Sequence, residues 1–257
     1  MEAKVHIITC ANDMAKNIVK CVERCNLTAD QLIFSALASS YSVLTDDEKE
    51  LGVCIVDIGA GTMDMSVFTN GALRHSAVIP VAGNQVTSDI AKIFRTPVAH
   101  AEDIKVKYAC ALRQLVSLEE NIEVPSVGGR PARTMSRHTL AEVVEPRYQE
   151  LFELIQEELK ECGLEDQIAA GIVWTGGTSK LEGVVEFAEE VFQMPVRIGE
   201  PQDIQGLTEY VKDASYASVI GLLHYGLQAS QDSAKESKNR EGGSVLSRLH
   251  AWFKGEF

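Results

Sequence analysis

The spacing of apolar and polar positions changes period several times along the chain. Val5–Thr9 is a short β-rich run that predicts a strand, and from Asn12 or Asp13, either able to cap, the three-to-four spacing through Cys25 predicts an amphipathic helix. Gln31–Phe34 reads as another short strand, Ser35–Val43 as a small-residue segment, and Asp46-Asp47-Glu48-Lys49-Glu50 as a polar connector. From Val53 to Pro80 the period falls to two: VCIVDI, MDMSVF and ALRHSAVIP, separated by GAGT and TNG, predict an antiparallel three-strand meander. Its second turn holds Asn70-Gly71, a pair that tolerates positive φ at both central positions.

Helices are predicted over Gly83–Phe94, Ala101–Leu115 and Thr139–Cys162, the last stopped by Gly163. Between them, Asn121–Arg137 holds a strand, IEVP, and a basic loop, VGGRPARTMSR. A buried-type strand, Ala169–Trp174, runs into Thr175-Gly176-Gly177-Thr178 and a further helix, followed by a strand at Pro195–Ile198 and a small-residue helix at Tyr216–Tyr225. The pattern ends near Leu227. Residues 228–243, QASQDSAKESKNREGG, have no apolar side chain larger than alanine and read as a flexible linker.

Beyond the linker, in SVLSRLHAWFKGEF (244–257), Val245, Leu246, Leu249, Trp252 and Phe253 recur at i, i+1, i+4, i+7 and i+8 and share one helical face, flanked by Arg248 and Lys254. A helix of this length extends roughly 21 Å, too short to span a bilayer and suited to lying in the headgroup region. Docking on its own domain or on a partner is the other reading, and Glu256 falls on the apolar face.

Composition narrows the function classes. At 257 residues and 45% hydrophobic the chain can bury a real core. Its 24 basic against 37 acidic residues leave a net charge of -13, which argues against nucleic acid as a partner because phosphates would be repelled. Six cysteines without a CxxC pair read as reduced core thiols rather than a metal site. The start, MEAKVHIITC, lacks a signal-peptide pattern, and no apolar stretch is long enough to span a membrane.

Two glycine turns carry candidate chemistry. In VDIGAGTMD (56–64) Asp57 ends an apolar strand, the glycines let backbone N–H groups approach a phosphate, and Thr62 adds a hydroxyl. A carboxylate there can hold a magnesium ion, usually through water, against phosphates. The same residues also make an ordinary strand-to-strand turn. Thr175-Gly176-Gly177-Thr178 repeats the design ahead of a helix, and it too reads either as a plain corner or as a nucleotide cradle. Neither is a P-loop.

VDIGAGTMD resembles the second phosphate loop of the actin/Hsp70/sugar-kinase superfamily, and WTGGTSKLEG resembles its adenosine motif. LASSYSVLTDDEKELG, GALRHSAVIPVAGNQVTSDIA, EVPSVGGRPAR, AEVVEPRY and GLLHYG are similar to the FtsA family of bacterial cell-division proteins, so the resemblance covers the chain apart from its linker. It implies an α/β, actin-like (ribonuclease-H-like) fold. It also implies ATP and Mg2+ as cofactors, self-assembly into actin-like filaments, and tethering of FtsZ through its C-terminal tail. The location implied is the cytoplasmic side of the bacterial inner membrane at the division site, with anionic lipids and other division proteins as further partners.

Carried onto this sequence, the resemblance places Asp57, Gly59, Gly61 and Thr62 at the phosphates, with Asp57 at the metal, and Gly83 and Asn84 nearby. Glu102 and Lys105 would lie near ribose and base, and Gly176 and Gly177 against the adenosine. Arg133, Arg147 and Glu150 match positions that meet the FtsZ tail; taken alone, the two arginines read as a solvated basic surface. The implied subdomains are a remnant of 1A at 1–47, 2A at 48–82 and 140–227, and 2B at 83–139, followed by the linker at 228–243 and the membrane-targeting helix at 244–257.

Members of that family carry an earlier DxG loop and a further small subdomain that this sequence does not contain. The first lobe is therefore expected to be incomplete, and ATP binding by the chain alone weak or absent, with at most a weak ATPase once that lobe is present. Ala60 replaces a usual glycine and Trp174 a usual aliphatic residue. A second reading is an ATP-dependent kinase or ATPase of the same superfamily, for which no general base stands out.

Overall fold

The computed structural model describes residues 5–204, 206 and 211–231. Strands β1 (Val53–Ile58), β2 (Met63–Thr69) and β3 (Ala72–Ile79) form the expected meander. Asn70 and Gly71 turn between β2 and β3 with φ of 52° and 70°. A hairpin of β4 (Asn121–Val124) and β5 (Arg133–Ser136) closes around the basic loop. Strands β6 (Ile172–Thr175) and β7 (Val196–Ile198) add in parallel, giving one five-stranded sheet in the order β3-β2-β1-β6-β7.

Period-two alternation sorts the sheet residues onto two faces. Cys54, Val56, Ile58, Ile172 and Trp174 face the main core, against Tyr148, Leu151, Phe152 and Ile155 of α6 (Arg137–Cys162). Phe152 stands edge-on to Trp174, Phe187 and Phe192, so the tryptophan joins an aromatic cluster. Full burial of such side chains is worth about 1.5–3 kcal/mol each, which makes α6 the main support of this face. Helices α4 (Gly83–Phe94) and α7 (Val184–Phe192) pack in the same layer. The other face is smaller: Val53, Ile55, Phe68 and Val173 meet Val43 of α2 (Ser35–Val43) and Ala217 of α8 (217–231).

Several expectations are corrected. Val5–Thr9 and Gln31–Phe34 are not strands; neither run pairs with another strand among the described residues. α1 (Asn12–Arg24) forms, but its N-cap is Ala11, so neither Asn12 nor Asp13 caps it. Ser35–Val43 is helical. The acidic connector is helix α3 (Asp46–Leu51), started by a capping box in which Thr45 accepts from the Glu48 N–H and the Glu48 side chain accepts from the Thr45 N–H. α5 spans Val98–Tyr108 instead of 101–115, because Ala109 turns extended and Cys110 bridges to Glu182. α8 runs on to 231, so residues 228–231 belong to a helix rather than to a linker. The rest of the expected linker, and the amphipathic helix expected at 244–257, lie outside the described residues. No helix among the described residues is long and apolar enough to cross a membrane.

Candidate functional site

β1 and β6 run parallel and end together, and β1 is the strand at which the sheet changes from antiparallel to parallel neighbours. Crevices at such carboxyl ends are where open α/β sheets bind ligands. Three glycine corners meet there. The loop after β1 is closed by the Gly59 N–H donating to the Thr62 carbonyl at 3.0 Å, leaving Ala60, Gly61 and Thr62 exposed. φ is not positive at Ala60, so its methyl causes no left-handed strain. The first turn of α4 leans on this loop, with the Gly83 N–H donating to the Gly59 carbonyl (3.3 Å) and the Asn84 N–H to the Ala60 carbonyl (2.7 Å). The Thr178 hydroxyl donates to the same Gly59 carbonyl at 2.9 Å.

Two of the glycines are required by contact. A Cβ on Gly83 would sit 2.5 Å from Thr178 Oγ1. A Cβ on Gly176, whose φ is +90°, would sit 2.5 Å from Asp57 Oδ1 and 2.8 Å from Ile58 N. By contrast nothing lies within 4 Å of the Cβ direction of Gly61. The corners are thus locked onto one another, while the turn at 60–62 stays exposed.

Asp57 follows Val53 and Ile55 in the alternation and points to the α2 side of the sheet. It is 9% exposed, and its Oδ2 accepts from Ser39 Oγ of α2 (2.5 Å) and Ser218 Oγ of α8 (2.6 Å). No described residue donates a hydrogen bond to Oδ1. Directly across the β1–β2 ladder stands Asp64, which accepts from the Ser35 hydroxyl. Burial pushes the Asp64 carboxyl above the usual carboxylate range, and the neighbouring Asp57 pushes the same way, against the Ser35 hydrogen bond. Sequence reasoning passed over Asp64, although hairpin symmetry about GAGT places it opposite Asp57. Ser35, Ser39 and Ser218 carried no local signal.

Glu102 and Lys105 come together beside the same corner. Lys105 is buried, and its Nζ donates to the Gly83 carbonyl (3.2 Å) and Thr87 Oγ1 (2.9 Å) and pairs with Glu102 (2.8 Å), so all three ammonium donors are engaged. Partial burial raises the Glu102 pKa, but hydrogen bonds from Lys105 and Thr87 outweigh it and hold the carboxyl below its ordinary value. Arg133 on β5 and Arg147 and Glu150 on α6 stand apart from the glycine corners, and the two arginines reach across to α4. Arg133 donates to the Phe94 carbonyl at the end of that helix. Arg147 grips Asp89 at 2.6 Å and also pairs with Glu150; the Asp89 hydrogen bond is the main reason its pKa rises.

A cleft of about 700 Å³ lies at the far end of the sheet beside the Asn70-Gly71 turn. It is lined by Arg74, His75, Glu158 and Cys162, among others, and its His75–Glu158 pair, at 2.7 Å, is satisfied internally. Among the described residues no group of three or more His, Cys, Asp or Glu is arranged to hold a metal ion. A cation at Asp57 would therefore depend on water and phosphate for its other ligands.

This sheet with glycine corners at its carboxyl end defines an actin-like fold. MreB5 of Spiroplasma citri bound to ADP superposes with a TM-score of 0.71 at 18% identity, covering 88% of this chain and 68% of that one. The MamK double helical filament gives 0.63 at 17% identity, covering 84% and 65%. The chain belongs to the family of the cell division protein FtsA, whose model matches residues 54–221. It is 56% identical over 264 residues to the cell division protein FtsA of Pseudomonas aeruginosa and 56% over 267 residues to that of Escherichia coli K12. Both matches cover all of this chain but only 63% and 64% of the relatives, so it spans less than two thirds of their length.

Proposed function

We propose that this chain is the part of an actin-like division scaffold that links FtsZ filaments to the cytoplasmic face of the inner membrane, with a magnesium nucleotide at the glycine corners. The observation that carries the reading is the 56% identity to relatives named cell division protein FtsA across the whole chain, including the segment at 244–257. The α4 surface is the proposed docking place for the FtsZ tail. Arg133 and Arg147 already meet a carbonyl and a carboxylate there, and a peptide carboxylate would replace or extend those contacts. Self-association, suggested by filament-forming neighbours such as MamK, would multiply a weak membrane anchor.

The corner residues fit a magnesium nucleotide. Asp57 has one oxygen not engaged by any described donor, the turn at 60–62 is exposed, and Gly61 has open space above it. Asp57 would hold the ion through water, Gly59, Gly61 and Thr62 would face the phosphates, and Gly176 and Gly177 the adenosine. Gly83 and Asn84 would fix the loop through their backbone N–H groups, and Glu102 and Lys105 would brace the first turn of α4 behind them. When bound, the ion neutralises phosphate charge.

Co-sedimentation with vesicles containing anionic lipid tests the tether. The chain is expected to pellet and a Trp252→Glu variant to remain soluble; identical behaviour of the two would sink the anchor. Binding of an FtsZ tail peptide should weaken about tenfold or more in Arg133→Ala and Arg147→Ala, since each truncation removes a charge-assisted hydrogen bond. Unchanged affinity in both would move the peptide site elsewhere. Calorimetry with Mg-ATP is expected to show affinity weaker than micromolar for this chain alone.

A further inference from the structure

The two serines on Asp57 come from different helices, and they join the glycine corner to the last described element of the chain. Ser39 of α2 and Ser218 of α8 both donate to Asp57 Oδ2, at 2.5 and 2.6 Å, and lie 2.9 Å from each other. One turn further along α2, Ser42 Oγ donates to the Ala217 carbonyl at 2.7 Å. The two helices also touch backbone to backbone, since a Cβ on Gly221 would fall inside the van der Waals sphere of the Ala38 carbonyl oxygen. Tyr41 and Tyr225 stack edge-on at 5.3 Å, and His224 Nδ1 lies 3.2 Å from the Tyr41 carbonyl oxygen. α2 and α8 therefore behave as a packed pair, and the serine–carboxylate bonds are its polar fastening to β1.

We infer that Ser39 and Ser218 are positioning residues that couple engagement of Asp57 at the glycine corner to the stability of α8. With both hydroxyls on Oδ2, the carboxylate is held in one rotamer, and Oδ1 is left beside Gly176 for an incoming ligand. A ligand that requires this rotamer binds more tightly when the serines hold it. By linkage it must in turn make those serine bonds more persistent, and α8 firmer, by the same factor. α8 leads at 231 into the segment that ends in SVLSRLHAWFKGEF, so the site's occupancy reaches the root of the proposed membrane tail. The serines could instead do no more than satisfy a buried carboxylate, in which case α8 would be indifferent to ligand.

The inference rests on the nucleotide reading above, and hydrogen–deuterium exchange on the full chain separates the two. With millimolar Mg-ATP, amides in 59–62 and in 217–231 should both exchange more slowly, the helix by about tenfold, the scale of one charge-assisted hydrogen bond. In Ser218→Ala, with Mg-ATP raised about tenfold to offset its weaker binding, the loop should keep its protection and the helix lose it, and Ser218→Thr, which retains the hydroxyl, should restore it. Loop protection without helix protection in the unaltered chain, or equal helix protection in Ser218→Ala, overturns the coupling. If Mg-ATP changes neither segment, the chain alone does not hold the nucleotide, and the ligand-free variants then decide the coupling. Asp57→Asn should speed exchange in 217–231 and add nothing on top of Ser218→Ala; no change, or additive changes, refutes the inference.

Discussion

Gly176 and Gly177 are neighbours in one turn, yet their replacement by alanine should have very different effects. Gly176 has φ +90° and ψ 169°, a region that side-chain-bearing residues essentially do not occupy, at a cost of about 1–3 kcal/mol. An added Cβ would also press on Asp57 Oδ1 and on the Ile58 backbone. That backbone is the end of β1, paired with Met63 in the antiparallel ladder with β2, so it cannot give as a surface side chain would. Relieving such overpacking costs about 1–3 kcal/mol more. The sum, about 4 kcal/mol, is a large share of the 5–15 kcal/mol typical of a folded domain. At a urea slope of about 2–3 kcal/mol/M, Gly176→Ala should lower the unfolding midpoint by roughly 1.3–2 M.

At Gly177 φ is not positive and the added Cβ would lie 3.6 Å from Ser215 Oγ, an ordinary contact. Gly177→Ala should leave the midpoint within about 0.3 M of the original, since the lost chain entropy of glycine offsets any small strain. Urea unfolding followed by far-ultraviolet circular dichroism measures both. Equal midpoints for the two variants, or a Gly176→Ala shift under about 0.3 M, would refute the contact reasoning at this corner.

Asp64→Asn should raise stability at neutral pH by a few tenths of a kcal/mol after allowing for solvent screening. The folded-state pKa of Asp64 is raised, so the folded protein holds its proton more tightly and loses stability as pH climbs from about 3.9 through that higher value. The gain from Asn should therefore vanish below about pH 4 in urea titrations, and a gain constant with pH would count against it. For Asp213 the sign is opposite: hydrogen bonds from Lys180 and Ser215 hold its pKa at about 2, so its contribution is present above about pH 4 and fades as pH falls toward 2. Lys180→Met should move its midpoint, read by carbon-detected NMR, up toward the ordinary value, and an unmoved midpoint would reject that cause. Arg147→Ala leaves the largely buried Asp89 carboxylate without its cation and should cost about 1–3 kcal/mol in thermal unfolding. The exposed Arg133→Ala should cost about 0.5 kcal/mol or less. Equal losses would mean that the Asp89 pair is not what holds α4.

The meander and the corners were legible because their signals are local. Strand period, the Asn70-Gly71 turn and the symmetric VDIGAGTMD hairpin are each set by a few adjacent residues. The missed elements depend on distant partners. Val5–Thr9 has β-favouring residues, yet a strand exists only where another strand offers its hydrogen bonds, and none does among the described residues. α5 stops at Tyr108 because the next residues bond to Glu182, far along the chain. In α2, Ser35, Ser39 and Ser42 sit in what reads only as a small-residue segment, whereas they share one helical face and meet Asp64, Asp57 and the Ala217 carbonyl. The start of α3, by contrast, has a purely local signal, since Thr45-Asp46-Asp47-Glu48 has the spacing of a capping box.

The serine face also explains how two facing carboxylates are tolerated in a folded sheet. Like charges directly opposite on neighbouring strands destabilise the pair, and burial adds a desolvation cost. Hydroxyl donors from α2 and α8 offset part of both without neutralising either acid, which an arginine or lysine at the same place would do. A salt bridge would have made this end of the sheet more stable in isolation and removed its attraction for a cation. Hydroxyls leave the negative field in place, and at a corner whose exposed turn carries no cationic side chain that field would favour a metal-bound phosphate over a bare anion. The net charge of -13 acts in the same direction, because an uncompensated anion approaching the corner would meet repulsion from the rest of the chain as well.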